Sequence, residues 1–154
     1  MGREMRYGKK SINGEMHSEV YNFIFETASK ISEEITRASK GFPKEKIYLA
    51  ALACRHSQLV CINLEEAWRM KEHRTIFLDK LSDAAQAASK TQDVLKFASK
   101  YNYIKGEIYK RIDVRYENIF EDIFEMLCDG NKMAEQPESD GKAGSAYRVV
   151  VSAA

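Results

Sequence analysis

A chain of 154 residues with a formal net charge of +1, 44% hydrophobic and 31% charged residues makes one domain, long enough to bury a core without disulfides or metals. Two prolines and eight glycines disfavour a turn-rich β fold and leave an all-α domain as the expectation. Three cysteines with no close pair argue against a disulfide framework. No apolar run approaches the roughly 18 residues that cross a bilayer, and the start, MGREMRYGKK, is charged, so a cytoplasmic protein without a membrane contact is expected.

Residues 1–16 read as a flexible polar arm carrying Arg3, Arg6, Lys9 and Lys10. A first helix is expected from Ser18 to Ser39, with Val20, Phe23, Ile24, Ala28, Ile31, Ile35 and Ala38 on one face. Gly41 is expected to end it in a left-handed conformation, and Pro43 to open the next helix. That second helix, Lys44 to Met70, organises the chain. Its apolar stripe Ile47, Ala50, Cys54, Cys61, Leu64 and Trp68 is flanked by a second set, Leu49, Leu52, Leu59 and Ile62, a surface too wide for one neighbour. Such a helix packs in its own bundle and also on another subunit, which predicts a homo-oligomer. Where it ends is open, because Lys71 to Thr75 contains no breaker.

A third helix is expected from Thr75 to Tyr101, with Ile76, Phe77, Leu81, Ala84, Ala85, Ala88, Leu95 and Ala98 inward. Asn102 and Gly106 mark a loop. A fourth helix follows from Glu107 to Asp129, with Ile108, Ile112, Tyr116, Ile119, Phe120, Ile123 and Leu127 inward and Gly130 closing it. The architecture expected is an up-down-up-down four-helix bundle over 17–133. Residues 134–154 read as a flexible tail.

From Gly41 to Met133 the chain resembles a bacterial four-helix-bundle family. That family includes the proteins encoded within 23S rRNA intervening sequences and the accessory variability determinants of diversity-generating retroelements. The resemblance is carried by Phe42, Pro43, Lys44 and Glu45 after the first helix, and by Arg55, Asn63, Glu66, Trp68 and Arg69 in the second. Asn102, Tyr103 and Ile104 stand where the family has Gly-Tyr-hydrophobic. Where many members have Ser-Ile-Pro-Ala and then a Gly, this chain has Leu59, Val60, Cys61, Ile62 and Ala67, which should leave the second helix straighter. The resemblance implies a small helical protein, often a pentamer in the retroelement branch, that binds RNA and a reverse transcriptase and has no chemistry or cofactor of its own.

The residues alone point the same way. From Ile35 to Arg115 sixteen Lys and Arg stand against nine Asp and Glu, whereas Tyr116 to Met133 holds five acids and one Lys. Arg55, Arg69, Lys71 and Arg74, with Lys105, Lys110, Arg111 and Arg115, form a candidate patch for phosphates, against a reading as ordinary solvated charge. Arg55 has an alternative as a buried partner of Glu66 in the same or a neighbouring subunit. Catalytic and metal signatures are missing. His17, His56 and His73 have no Glu three residues before them. Cys54 and Cys61 stand about 10 Å apart along one helix face, too far for a disulfide or shared metal. Two functions therefore remain: a non-catalytic RNA-binding accessory of a reverse transcriptase, or a helical protein-protein scaffold that binds no nucleic acid.

Overall fold

The computed structural model describes residues 14–134, with side chains described over 18–129. Arg3, Arg6, Lys9 and Lys10 of the expected arm, and the tail beyond Ala134, lie outside the described residues. Four helices follow in order, α1 (Gly14–Ser39), α2 (Ile47–Arg69), α3 (Arg74–Lys100) and α4 (Gly106–Ala134), with a 3-10 turn (Lys44–Lys46) ahead of α2. The expected all-α bundle is what the chain forms. Each helix packs on the next and α4 returns to α1, so short connections make the neighbours antiparallel. The α1–α2 and α3–α4 connections share one end of the bundle, the loop end; the α2–α3 connection lies at the other.

Several boundaries differ from the sequence reading. α1 begins at Gly14, inside the expected arm, and α4 runs through Gly130 to Ala134 rather than stopping there. The open end of the second helix resolves into a tight turn: the amide of Met70 bonds to the carbonyls of Glu66 and Ala67, and that of His73 to Met70. Gly41 does not take the expected left-handed conformation. α1 instead unwinds through three amides, those of Lys40, Gly41 and Phe42, bonded to the carbonyls of Arg37, Ala38 and Ser39 at 3.4, 3.1 and 3.2 Å. Pro43 then extends the chain at φ −57° and ψ 146°.

The left-handed residue is Asn102, at φ 59°. Its amide bonds to Ser99 O at 3.1 Å, and the Tyr103 amide reaches back to Ala98 O at 2.8 Å, the paired closure of a helix whose C′ residue is left-handed. Asn stands here in place of the family's Gly because it is the side chain that best tolerates this conformation.

The core is filled unequally by the four helices. α1 and α4 supply bulk, with Ile24, Ile31, Ile35, Ile112, Tyr116, Ile119 and Ile123 fully buried. α2 and α3 interleave small residues, Ala53, Ser57 and Ala67 on one and Ala84, Ala87, Ala88 and Thr91 on the other, with the larger Val60, Leu64, Leu78, Leu81 and Leu95. The inward face of α2 is therefore rotated from the expected stripe toward Ala53, Ser57, Val60, Leu64 and Ala67. Cys54, Cys61 and Trp68 are only partly buried, and Ile47 is 71% exposed. Tyr21 of α1 stacks on Trp68 at 4.5 Å between centroids, and Lys71 Nζ covers the Trp68 ring at 4.4 Å, fixing the end opposite the loops.

A band of hydroxyl and thiol groups crosses the middle of this core. The Ser32 and Ser57 hydroxyls meet at 3.1 Å, and the Ser29 hydroxyl donates to Cys61 Sγ at 3.9 Å. Thr91 donates to Ala87 O at 2.8 Å. The Tyr116 hydroxyl lies near Thr91 but has no partner in strict hydrogen-bonding geometry among the described residues, and burial pushes its phenol far above the ordinary value.

α1 and α4 are tied by Glu34, whose side chain is 14% exposed. Its Oε1 accepts from Arg111 Nε at 2.9 Å and from Arg111 Nη2, and its Oε2 accepts from Arg115 Nη1 at 3.0 Å.

These contacts set the expected effect of substitution at four positions. Asn102→Val costs about 1–2 kcal/mol in urea unfolding, whereas Asn102→Gly shifts it by less than about 1 kcal/mol. Gly41→Ala is nearly neutral, because an added Cβ would meet Ala38 O at an ordinary 3.5 Å. Arg115→Ala costs about 1 kcal/mol by stripping Glu34 of one charged donor. Lys110→Ala, exposed and in no ion pair among the described residues, changes the unfolding free energy by less than about 0.5 kcal/mol.

Candidate nucleic-acid interface

The antiparallel arrangement sorts charge along the bundle axis. In the half nearest the loop end, residues 31–57 and 87–116, twelve Lys and Arg stand against six Asp and Glu, a net of +6. In the other half, residues 18–30, 58–86 and 117–129, five stand against twelve, a net of −7. The excess is sharpest at the loops: residues 36–48 and 96–111 hold nine Lys and Arg and only Glu45 and Glu107 as acids, a net of +7. Such a concentration makes a positive potential that attracts a polyanion.

The eight basic residues singled out from the sequence do not gather in one patch. Arg69, Lys71 and Arg74 lie at the end opposite the loops, and Lys105, Lys110 and Arg111 at the loop end. α2 and α4 stand on a diagonal of the bundle, and α2, at 23 residues, separates its two ends by about 34 Å. Several members are also engaged in the fold. Arg69 pairs with Glu65 at 3.5 Å, Lys71 lies over Trp68, Arg74 has a partner of its own, and Arg111 and Arg115 hold Glu34. Lys105 and Lys110 are exposed at the loop end. Arg55 is exposed on the outer face of α2, and Glu66 pairs with Lys80 at 3.0 Å, so within one chain Arg55 is not a buried partner of Glu66.

The sequence reading passed over Arg37, Lys40, Lys44, Lys46, Lys96 and Lys100. The signal was present, since an up-down bundle places the first and third connections at the same end, and lysines flank both. Of these side chains, Arg37 lines a shallow cleft of about 350 Å³ together with Glu34, Ala38, Ile108 and Arg111. Aromatic rings lie among them: Phe97, Tyr101, Tyr103 and Phe42 follow one another at centroid distances of 4.7, 5.9 and 6.2 Å.

Groups that could carry chemistry are dispersed. Glu65 and Glu66 point to different partners, Arg69 and Lys80. Burial, then Lys90 and Arg55, lower the pKa of His56, favouring a neutral imidazole. Burial pushes the Cys61 thiol up, away from a reactive thiolate. Among the described residues no group of three or more His, Cys, Asp or Glu side chains is placed to share a metal ion.

No curated protein matches the chain. A family model described as 23S rRNA-intervening sequence protein matches residues 22–125, from within α1 to near the end of the described α4 side chains. The bundle, its turn residues and this match across more than half of the chain agree: the chain belongs to the 23S rRNA-intervening sequence protein family.

Proposed function

We propose that this protein is a non-catalytic RNA-binding subunit that meets RNA with the lysine-rich loop end of its bundle and assists the reverse transcriptase of a diversity-generating retroelement in the cytoplasm. The observation that carries the RNA reading is the sorting of charge, +6 in one half of a nearly neutral chain and −7 in the other. A uniformly solvated surface has no need of this division, whereas phosphate binding does. The reverse transcriptase comes from the resemblance around Phe42 to Glu45 and Asn63 to Arg69; the acidic half offers it a surface away from the RNA.

The protein acts as a homo-oligomer in this reading. Tyr48, Leu52 and Ile62 are 54%, 37% and 48% exposed on the side of α2 that faces away from the core. The segment Lys44–Arg69 reaches a mean hydropathy of 1.2, a length and composition that by themselves could cross a bilayer, in contrast with the sequence expectation. Only 28% of its most apolar window is buried in the monomer. Arg55, Glu65 and Glu66 within it favour a protein neighbour over lipid, and the resemblance favours five copies.

Two experiments test the reading. RNA with an unpaired flank binds at low salt, and log K falls linearly with log salt. Replacing Lys44, Lys46, Lys100 and Lys105 together by Gln reduces that slope by about 3–4, roughly one per lost phosphate contact, while Arg69→Gln with Lys71→Gln leaves it unchanged. The reverse ranking would move the interface to the other end, and absence of RNA binding by the folded oligomer would leave the protein scaffold as the function. In light scattering, the 17.6 kDa chain runs as a multimer, and Leu52→Glu with Ile62→Glu yields helical monomers; a wild-type monomer at micromolar concentration would refute the assembly.

A further inference from the structure

Resting on the RNA reading above, we propose that the ring row Phe97, Tyr101, Tyr103 and Phe42 at the loop end is a stacking platform for unpaired RNA bases, so that the protein selects single-stranded over duplex RNA. The row is built by the turn that closes α3. Tyr101 caps the helix, Asn102 reverses the chain in the left-handed conformation, and Tyr103 returns beside Tyr101, with ring planes 22° apart and centroids at 5.9 Å. Phe97, one helical turn before Tyr101, continues the row at 4.7 Å on one side, and Phe42 from the α1–α2 connection continues it at 6.2 Å on the other.

The inner and outer rings do different work. Tyr103 and Phe42 are partly buried against the core and explain themselves as packing. Tyr101 and Phe97 are 51% and 43% exposed, an apolar surface the monomer leaves uncovered. The aromatic pair at the opposite end shows the contrast, since Tyr21 and Trp68 stack nearly parallel at 6° and Tyr21 is buried.

Charge identifies the occupant. Lys100 Nζ stands 5.9 Å from the Tyr101 centroid, within the net +7 of this end. Aromatic faces framed by lysines suit a strand that offers bases and phosphates together. A duplex keeps its base faces covered by their own neighbours and cannot use the rings. A base inserted between two rings needs about twice the 3.4 Å stacking distance, roughly 7 Å, and the row is closer than that. Bases therefore stack against the ring surface that Tyr101 and Phe97 leave exposed, not between rings of the row.

The test compares a single-stranded RNA carrying 2-aminopurine with a fully paired RNA on the full-length chain. Single-stranded RNA quenches on binding; Tyr101→Leu with Phe97→Leu abolishes the quench and weakens single-strand affinity by about tenfold or more, with duplex affinity and salt slope unchanged. Tyr101→Phe retains the quench, because stacking does not need the hydroxyl. Wild-type affinity and quench in the folded double variant overturn the platform while leaving RNA binding intact. A change of oligomer mass in that variant reassigns the rings to a subunit contact and also overturns it. Failure of wild-type protein to bind either RNA removes the RNA reading itself.

Discussion

The close approach of α2 and α3 is the constraint on which the rest of this structure depends. Ala53, Ser57 and Ala67 on one helix and Ala84, Ala87, Ala88 and Thr91 on the other are buried, and side chains this short let two backbones come near enough for continuous contact. The short inward face has a direct consequence for the outward one. Three large apolar residues of α2, Tyr48, Leu52 and Ile62, are placed where no described helix covers them. The isoleucines of α1 and α4 and Tyr116 fill the core together with Leu64, Leu78, Leu81 and Leu95 of α2 and α3. One choice of residue size thus fixes both the tightness of the central pair and the apolar surface left for a neighbour.

The electrostatics follow from topology more than from composition. A chain of net +1 has no strong field as a whole, and its basic residues are spread over some eighty positions. Antiparallel folding brings the turns after α1 and α3 to one end, and with them Lys40, Lys44 and Lys46 beside Lys96, Lys100 and Lys105. The acids of α4 beyond Tyr116 go to the other end. Glu34 moderates this arrangement, since it pairs with Arg111 and Arg115 and turns them into a brace between α1 and α4. The surface cations left at the loop end are mostly lysines, compact and mobile charges that suit phosphates of variable position.

Much of the fold was legible because long apolar periods are hard to mistake. The existence and order of four helices, and the inward faces of α1 and α4, could be read from large residues at helical spacing. The inward face of α2 could not, because periodicity weighs Leu, Ile and Trp above Ala and Ser, and here the small residues are inside. Gly41 and Asn102 illustrate the limit for turns. Glycine permits a left-handed conformation without requiring it, and the neighbouring Pro43 supplied another exit, whereas Asn102 takes that conformation itself. The candidate site was half visible. Lys105 and Lys110 were found from charge alone, but grouping them with Arg69 and Arg74 ignored the length of α2.

The proposed assembly links these features. If copies associate through the outer face of α2 with their bundle axes along a common rotation axis, cyclic symmetry places every loop end on the same side of the ring. The positive potential and the ring row are then repeated around one face, and a single RNA strand meets several copies at once, each contact raising the effective concentration for the next. The same symmetry crowds like charge, and that repulsion must be opposed by the apolar contact of Tyr48, Leu52 and Ile62. Salt therefore acts on the two interactions with opposite sign: screening relieves repulsion between loop ends and strengthens the ring, while it weakens each phosphate contact. In such a ring the apolar stripe on α2 and the lysines at the loops would be one device, the first holding together what the second drives apart.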